Sequence, residues 1–171
     1  GAILFTDRIE KFIPPKKGKS HILRILRELL FFEPVGKKTN LRLGLEYLNK
    51  VIKKRSISFF ISDFCDNNFE DPLKLVSKKH DLIAVHLVDP TEKELPPLGL
   101  IKFVDAETGE NIWVDSTSDI VRKKYSEFWI NNKQKLDKLF LKSKVDRIEI
   151  NIDKSYLNPL IDFFKRRSKR Y

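Results

Sequence analysis

Apolar residues at the start of the chain fall in two short β-favouring runs, 2–6 and 11–13, joined through Asp7 and Arg8 and stopped by Pro14 and Pro15. That pattern predicts a hairpin. The period then changes: Ile22, Leu23, Leu26, Leu29 and Leu30 recur at helical spacing behind Ser20, a capping residue type, until Pro34 ends the run. Thr39 or Asn40 caps a second predicted helix, whose Leu41, Leu45, Leu48, Val51 and Ile52 form one stripe beside a basic face. Residues 57–64 are apolar on both faces, the signature of an interior strand. A helix over 69–79 and a second buried strand over 81–89 follow. Segments 101–105 and 111–114 flank Glu107-Thr108-Gly109-Glu110, a turn signal for an added β-hairpin. A long helix from 120 to about 143 places Tyr125, Phe128, Trp129, Leu136, Leu139 and Phe140 at core spacing, before a strand over 147–152 and a last amphipathic helix over 157–167.

Helices and buried strands taking turns predict an α/β fold with a mainly parallel sheet covered on both faces. With 171 residues, 41% of them hydrophobic, the expectation is one domain over 1–171, ending in a basic tail over 165–171. No apolar run approaches the ~20 residues that cross a bilayer, and the single cysteine, Cys65, excludes an internal disulfide framework. A cytoplasmic location is the expectation, with the inner face of the membrane as one setting. The formal charge of +10 is unevenly spread, at +10 over 8–55, −7 over 56–118 and +8 over 119–171. Opposite fields on one chain point to partner steering or cation attraction. The chain contains no methionine and opens on strand-like residues, which reads as a fragment.

The stretch "SFFISDFCD" ends an apolar run in Ser62 and Asp63, with a second acid at Asp66. Ligands of open parallel sheets bind at the carboxyl ends of strands, so Asp63 is the first candidate site residue, with a turn cap through Ser62 or the next helix as the competing role. Other motifs are weaker. "DSTSD" at 115–119 precedes a long helix, where Ser, Thr and Asp serve as caps, and Gly18-Lys19-Ser20 lacks the earlier glycine of a phosphate loop. His21, His80 and His86 have no ligand-spaced partner, and Cys65 has no identified base.

Four stretches, "GAILFTDRIEKFIPPKKGKSHILRILRELL", "KTNLRLGLEYLNKVIKKRSISFFISDF", "KKHDLIAVHLVDPTEKELPPLGLIKFVDAETGE" and "WVDSTSDIVRKKY", together resemble the C-terminal half of the bacterial domain-of-unknown-function 58 family, whose members contain a von Willebrand factor A-like domain. The resemblance implies a truncated von Willebrand A-like, Rossmann-like three-layer fold that lacks its first, central strand. It implies a metal-ion-dependent adhesion site in the intact parent, with Thr39 and Asp63 at the threonine and aspartate positions. The Asp-x-Ser-x-Ser loop of that site is missing here. Mg²⁺ or another divalent cation would be the cofactor, since hydroxyl and carboxylate are hard oxygen donors. A gap between strands 2–6 and 57–64 leaves two rows of unpaired backbone groups, predicting direct closure of the sheet or homo-oligomerisation through the exposed edges. The expected function is a noncatalytic protein-interaction domain whose metal captures a partner's acidic side chain, alongside a MoxR-type AAA+ ATPase. The alternative is an electrostatic nucleic-acid binder that uses the basic terminal thirds.

Overall fold

The computed structural model describes residues 1–104 and 109–169. Its elements are β1 (Ala2–Phe5), β2 (Ile9–Ile13), α1 (Lys19–Phe31), α2 (Leu41–Val51), β3 (Ile57–Ser62), α3 (Glu70–Lys79), β4 (Asp81–Val88), β5 (Leu100–Val104), β6 (Asn111–Asp115), α4 (Asp119–Lys142), β7 (Asp146–Asn151) and α5 (Leu157–Ser168). Each expected element is present within a few residues of its predicted bounds. Asp105 and the Glu107-Thr108 half of the hairpin turn lie outside the described residues, as does the end of the basic tail.

β3, β4 and β7 form a three-stranded parallel sheet with β4 in the middle. Its two faces bury different clusters. Phe60, Leu82 and Ala84 meet Leu41 and Leu45 of α2, Leu73 and Val76 of α3, and Phe140 of α4. On the opposite face Ile83, Val85 and Ile148 pack with Phe163 of α5. The fold is therefore mixed α/β with helices on both sides of a parallel sheet. β1 and β2 form a separate antiparallel hairpin, and β5 and β6 another.

The sheet does not close directly as expected: β1 and β3 share no ladder. Phe5 of β1 stacks on Phe60 of β3 with centroids 5.7 Å apart and planes 2° from parallel. The two strands meet through these rings on the α2 face of the sheet, while their backbones stay apart. Helix α2 fixes that separation because it packs on β1 as well as on α3. Gly44 makes the approach possible, since a Cβ there would stand 2.8 Å from the Phe5 ring.

Three further expectations are corrected. β3 is an edge strand rather than an interior one, with Ile57, Phe59 and Ile61 exposed at 66%, 46% and 59%. α1 has the predicted stripe yet buries none of its residues and is capped by Gly18, not Ser20. Of the stripe on α4 only Phe140 is buried; Phe128 faces solvent, Tyr125 packs on Phe103 and Trp129 lies beneath Lys93 and Lys133. Periodicity reports that a helix or strand has an apolar face; it does not report what covers it. The start of the basic run is also structured. Lys165 to Ser168 close α5, and Arg167 pairs with Asp81 and Asp146 at the entry to β4 and β7.

His80 ends α3 in a buried position, where its Nδ1 bonds Ser56 Oγ at 3.0 Å. Burial, with Lys79 adding a smaller push, holds its pKa below the ordinary 6.5. Burial does the same to His86, with Arg147 next in effect. The folded rings take up protons less readily than the unfolded ones, which do so near pH 6.5, so this stability is present above that pH and lost as pH falls through it. The urea midpoint is expected to drop from pH 7.5 to 5.5, with the slope reduced in His80→Gln. A midpoint independent of pH over that window would count against this assignment.

Candidate functional site

β3 ends at Ser62, and the chain reverses immediately. Phe64 carries the reversal with a left-handed φ of 57°. Asp63 is exposed, and its Oδ1 accepts the Cys65 backbone N–H at 3.1 Å and the Ser62 hydroxyl at 3.2 Å. The Ser62 Oγ in turn accepts the Phe64 N–H at 3.0 Å. Asp63 thus makes the turn-capping contacts weighed against a site role. It does not suffer the desolvation expected for a buried strand end.

Thr39 lies in the loop before α2, and it is Asn40 that caps the helix, accepting the Leu43 N–H at 2.9 Å. Thr39 is exposed and leaves its hydroxyl out of the cap. Two sets of bonds fix this loop. On one side Glu10 accepts the Gly36 N–H and the Thr6 hydroxyl, each at 2.7 Å, and Thr6 O accepts Asn40 N–H at 3.1 Å. The Gly36 bond, then Thr6, holds the Glu10 carboxyl below its usual range. On the other side Asp66 Oδ2 accepts the Leu41 N–H at 2.7 Å, and Arg42 reaches Asn68 O at 3.0 Å. The loops after β3 and before α2 are therefore one hydrogen-bonded unit.

Both Thr39 and Asp63 line a cleft of roughly 1110 Å³ between the β1 edge and the β3 edge. Phe5, Leu41, Gly44 and Phe60 line it too, so its interior is largely apolar. Asp89, at the end of β4, and Glu92, in the short 3₁₀ turn Pro90–Glu92, also line the cleft. Burial raises the Glu92 pKa, and the negative charges of Asp89 and Asp63 raise it further. Asp89 is held below its usual range by the Thr91 hydroxyl and N–H. The charges of Asp89 and Asp63 beside Glu92, at and just beyond the carboxyl ends of β3 and β4, make a locus of negative potential that favours a cation.

Among the described residues, no group of three or more His, Cys, Asp and Glu side chains is close enough to hold a metal ion. Thr39 and Asp63 supply two hard oxygens where Mg²⁺ takes six. "DSTSD" is a turn: Asp115 Oδ1 accepts the Thr117 N–H at 2.9 Å and the Thr117 hydroxyl at 2.6 Å, while the Ser116 hydroxyl donates to Gly99 O at 2.7 Å. Sequence reasoning missed Asp89 and Glu92 at the cleft and Asp66 as the clamp. "VDP" after a buried strand was an available signal for Asp89, by the same strand-end rule that selected Asp63.

The family described as Protein of unknown function DUF58 matches residues 1–135. An uncharacterized protein of Mycobacterium bovis is 28% identical over 112 residues, covering 64% of this chain and 35% of its own length. An uncharacterized protein of Mycobacterium tuberculosis shows the same figures. A third, from Mycobacterium avium, is 30% identical over 100 residues, covering 57% of this chain and 59% of its own. The chain thus spans about a third of the length of the first two relatives. No solved structure matches it.

Proposed function

The chain belongs to the DUF58 family, and from that premise we propose that it is the greater part of a noncatalytic, von Willebrand A-like interaction domain whose cleft holds a divalent cation. The observation that carries this reading is the shared cleft. Thr39 and Asp63, 24 residues apart in sequence, open on the same space between two unpaired strand edges, with Asp89 and Glu92 beside them. An extended segment inserted there would make the order β2-β1-insert-β3-β4-β7 one continuous sheet, and would cover apolar lining that is open here. The loop at the end of such a segment would arrive beside Asp63. A second copy of the chain, paired through the same edges, is the other source of that segment.

Thr39 Oγ1 and Asp63 Oδ2 are the donors suited to the ion, because Asp63 Oδ1 is engaged by its own turn. The remaining coordination would come from water and the inserted loop. A bound divalent cation would supply an electrophilic anchor for a partner's carboxylate. The protein would otherwise orient that anchor: the Glu10 and Asp66 bonds hold the Thr39 loop, and the turn holds Asp63. The partner class is a protein with an exposed acidic side chain, a MoxR-type AAA+ ATPase being the one the family resemblance suggests. No helix among the described residues is long and apolar enough to cross a membrane.

Mg²⁺ titration by calorimetry tests this, using the chain and a version extended at its N-terminus toward the length of the mycobacterial relatives. The extended protein is expected to bind saturably, and Asp63→Asn, which keeps the turn oxygen but removes the charge, to weaken binding about tenfold or more. Saturable affinity unchanged by Asp63→Asn and Thr39→Ala would remove both from the site. Binding of nucleic acid that resists chelator and is lost with added salt would replace the reading altogether.

A further inference from the structure

We propose that the amino end of the parallel sheet is a docking face for an anionic lipid bilayer, which holds the protein with the acidic end of its cleft turned away from the lipid. β3, β4 and β7 run in one direction and in close register, Ile57 beside Asp81 and Ile83 beside Asp146, so the connections that enter them share one end of the molecule. Those connections are basic. α2 hands on to β3 through Lys53, Lys54 and Arg55, α3 to β4 through Lys78, and α4 to β7 through Lys142 and Lys144, all of them exposed. α5 runs back from the far end of β7 and brings exposed Lys165 and Arg166 to the same place. There its Arg167 takes up Asp81 and Asp146, the acids that open β4 and β7.

Helix dipoles explain part of this charge. A base in the last turn complements the partial negative charge of a helix C-terminus, which suffices for Lys78, Lys142, Lys165 and Arg166. Lys53, Lys54, Arg55 and Lys144 lie past the last helical residues and close no helix. Their field adds to that of the others, while the opposite sign gathers at the opposite end, where Asp63, Asp89 and Glu92 line the cleft. A negative plane thus attracts one end of the molecule and repels the other. Two observations favour a bilayer over a nucleic acid. Exposed apolar side chains stand among the bases, as interfacial anchoring needs: Leu141, 81% exposed, precedes Lys142, and Phe164, 49% exposed, precedes Lys165. A nucleic-acid strand is held along a basic groove with rings for its bases. The ring that lies under lysines here, Trp129 with Lys93 and Lys133, belongs to the carboxyl end, since Lys93 reaches Asn151 at the end of β7.

Vesicle co-sedimentation of the 171-residue chain tests the proposal, in the presence of chelator so that the cation reading plays no part. Vesicles of phosphatidylcholine with about 30% phosphatidylserine are expected to bind the protein and phosphatidylcholine alone to leave it in solution, with binding lost as salt is raised. Lys53→Gln, Lys54→Gln and Arg55→Gln together should lower partitioning about tenfold or more, and so should Lys142→Gln, Lys165→Gln and Arg166→Gln together. Lys102, Lys123 and Lys124, exposed on β5 and near the start of α4, supply the comparison. Changing all three to Gln removes equal charge away from the face and should weaken binding less than about threefold. Equal losses in all three variants would show attraction by net charge alone and overturn the proposal. Absence of vesicle binding would overturn it too, as would tighter binding of duplex or single-stranded DNA than of the vesicles at equal charge concentration, which would make this end a nucleic-acid site. Failure of the cation reading is distinguishable, because Mg²⁺ binding indifferent to Asp63→Asn leaves vesicle binding in chelator untouched.

Discussion

Phe64→Ala is expected to cost about 3–5 kcal/mol of folding stability, the range for truncating a large buried ring. Phe64 is 3% exposed and sits where three parts of the core meet. Its ring lies 5.8 Å from Phe60 in β3, 6.0 Å from Phe69 before α3 and 5.1 Å from Phe140 in α4. His86 of β4 closes the remaining side. Removing the ring leaves a void bounded by four rigid elements, which limits collapse and puts the loss toward the upper end. The backbone adds a second, separable effect. At φ 57° any Cβ is disfavoured by roughly 1–2 kcal/mol, and glycine is not. Phe64→Gly should therefore be no less stable than Phe64→Ala and about 1 kcal/mol more stable where the strain is fully relieved. Urea denaturation followed by circular dichroism measures both differences. A loss under about 1 kcal/mol for Phe64→Ala would show that the four walls close over the gap. A glycine variant clearly weaker than alanine would show that the left-handed turn is not populated.

The same residue shows where sequence reading succeeds and where it stops. Strand 57–64 was legible because Ile57, Phe59, Phe60 and Ile61 are β-favouring residues with only Ser58 among them, and its end was legible because Ser62 and Asp63 follow in succession. Local pattern also found α2, whose stripe of Leu41, Leu45 and Leu48 meets the core as expected. It could not say that Phe64, the last apolar residue, leaves the strand and turns back under it. That depends on His86 and Phe140, which lie 22 and 76 residues further along. β3 at an edge and α1 without buried residues have one cause. Their apolar faces adjoin the cleft, whose walls include Ile57, Phe59, Ile25 and Leu29, and a periodicity count does not report what stands opposite a stripe. For the candidate site, one residue per loop could be chosen from strand ends and from the family resemblance. The bonds that place those loops together join partners 25 and 26 residues apart, so they appear in no local window.

Asp66→Ala is expected to cost about 2–3 kcal/mol and to loosen the Thr39 loop although residue 66 does not line the cleft. The carboxylate spans two segments: Oδ2 takes the Leu41 N–H at 2.7 Å and Oδ1 takes the Asn67 N–H at 2.6 Å. Leu41 is the first residue of α2 and fully buried, so its N–H belongs to the set that no carbonyl within the helix can satisfy. Losing a side-chain cap typically costs ~1 kcal/mol, and a buried donor left unpaired adds 1–3 kcal/mol of desolvation, part of it the same loss counted twice. A negative charge at the positive end of the helix contributes up to about 1 kcal/mol more. Asp66→Asn separates these contributions, since the amide oxygen can still accept Leu41 N–H while the charge is gone; it should retain more than half of the stability that alanine loses. The two variants also separate clamping from capping. Asn40 continues to bond Leu43 in either case, so the α2 interior amides should keep their exchange protection while those of residues 37–41 lose it. Should α2 fray as a whole, Asp66 is a helix cap and no more. If only the loop loosens, the second acid of "SDFCD" is the residue that keeps Thr39 within reach of Asp63, and cation affinity in the extended protein should fall with Asp66→Ala even though residue 66 contributes no ligand.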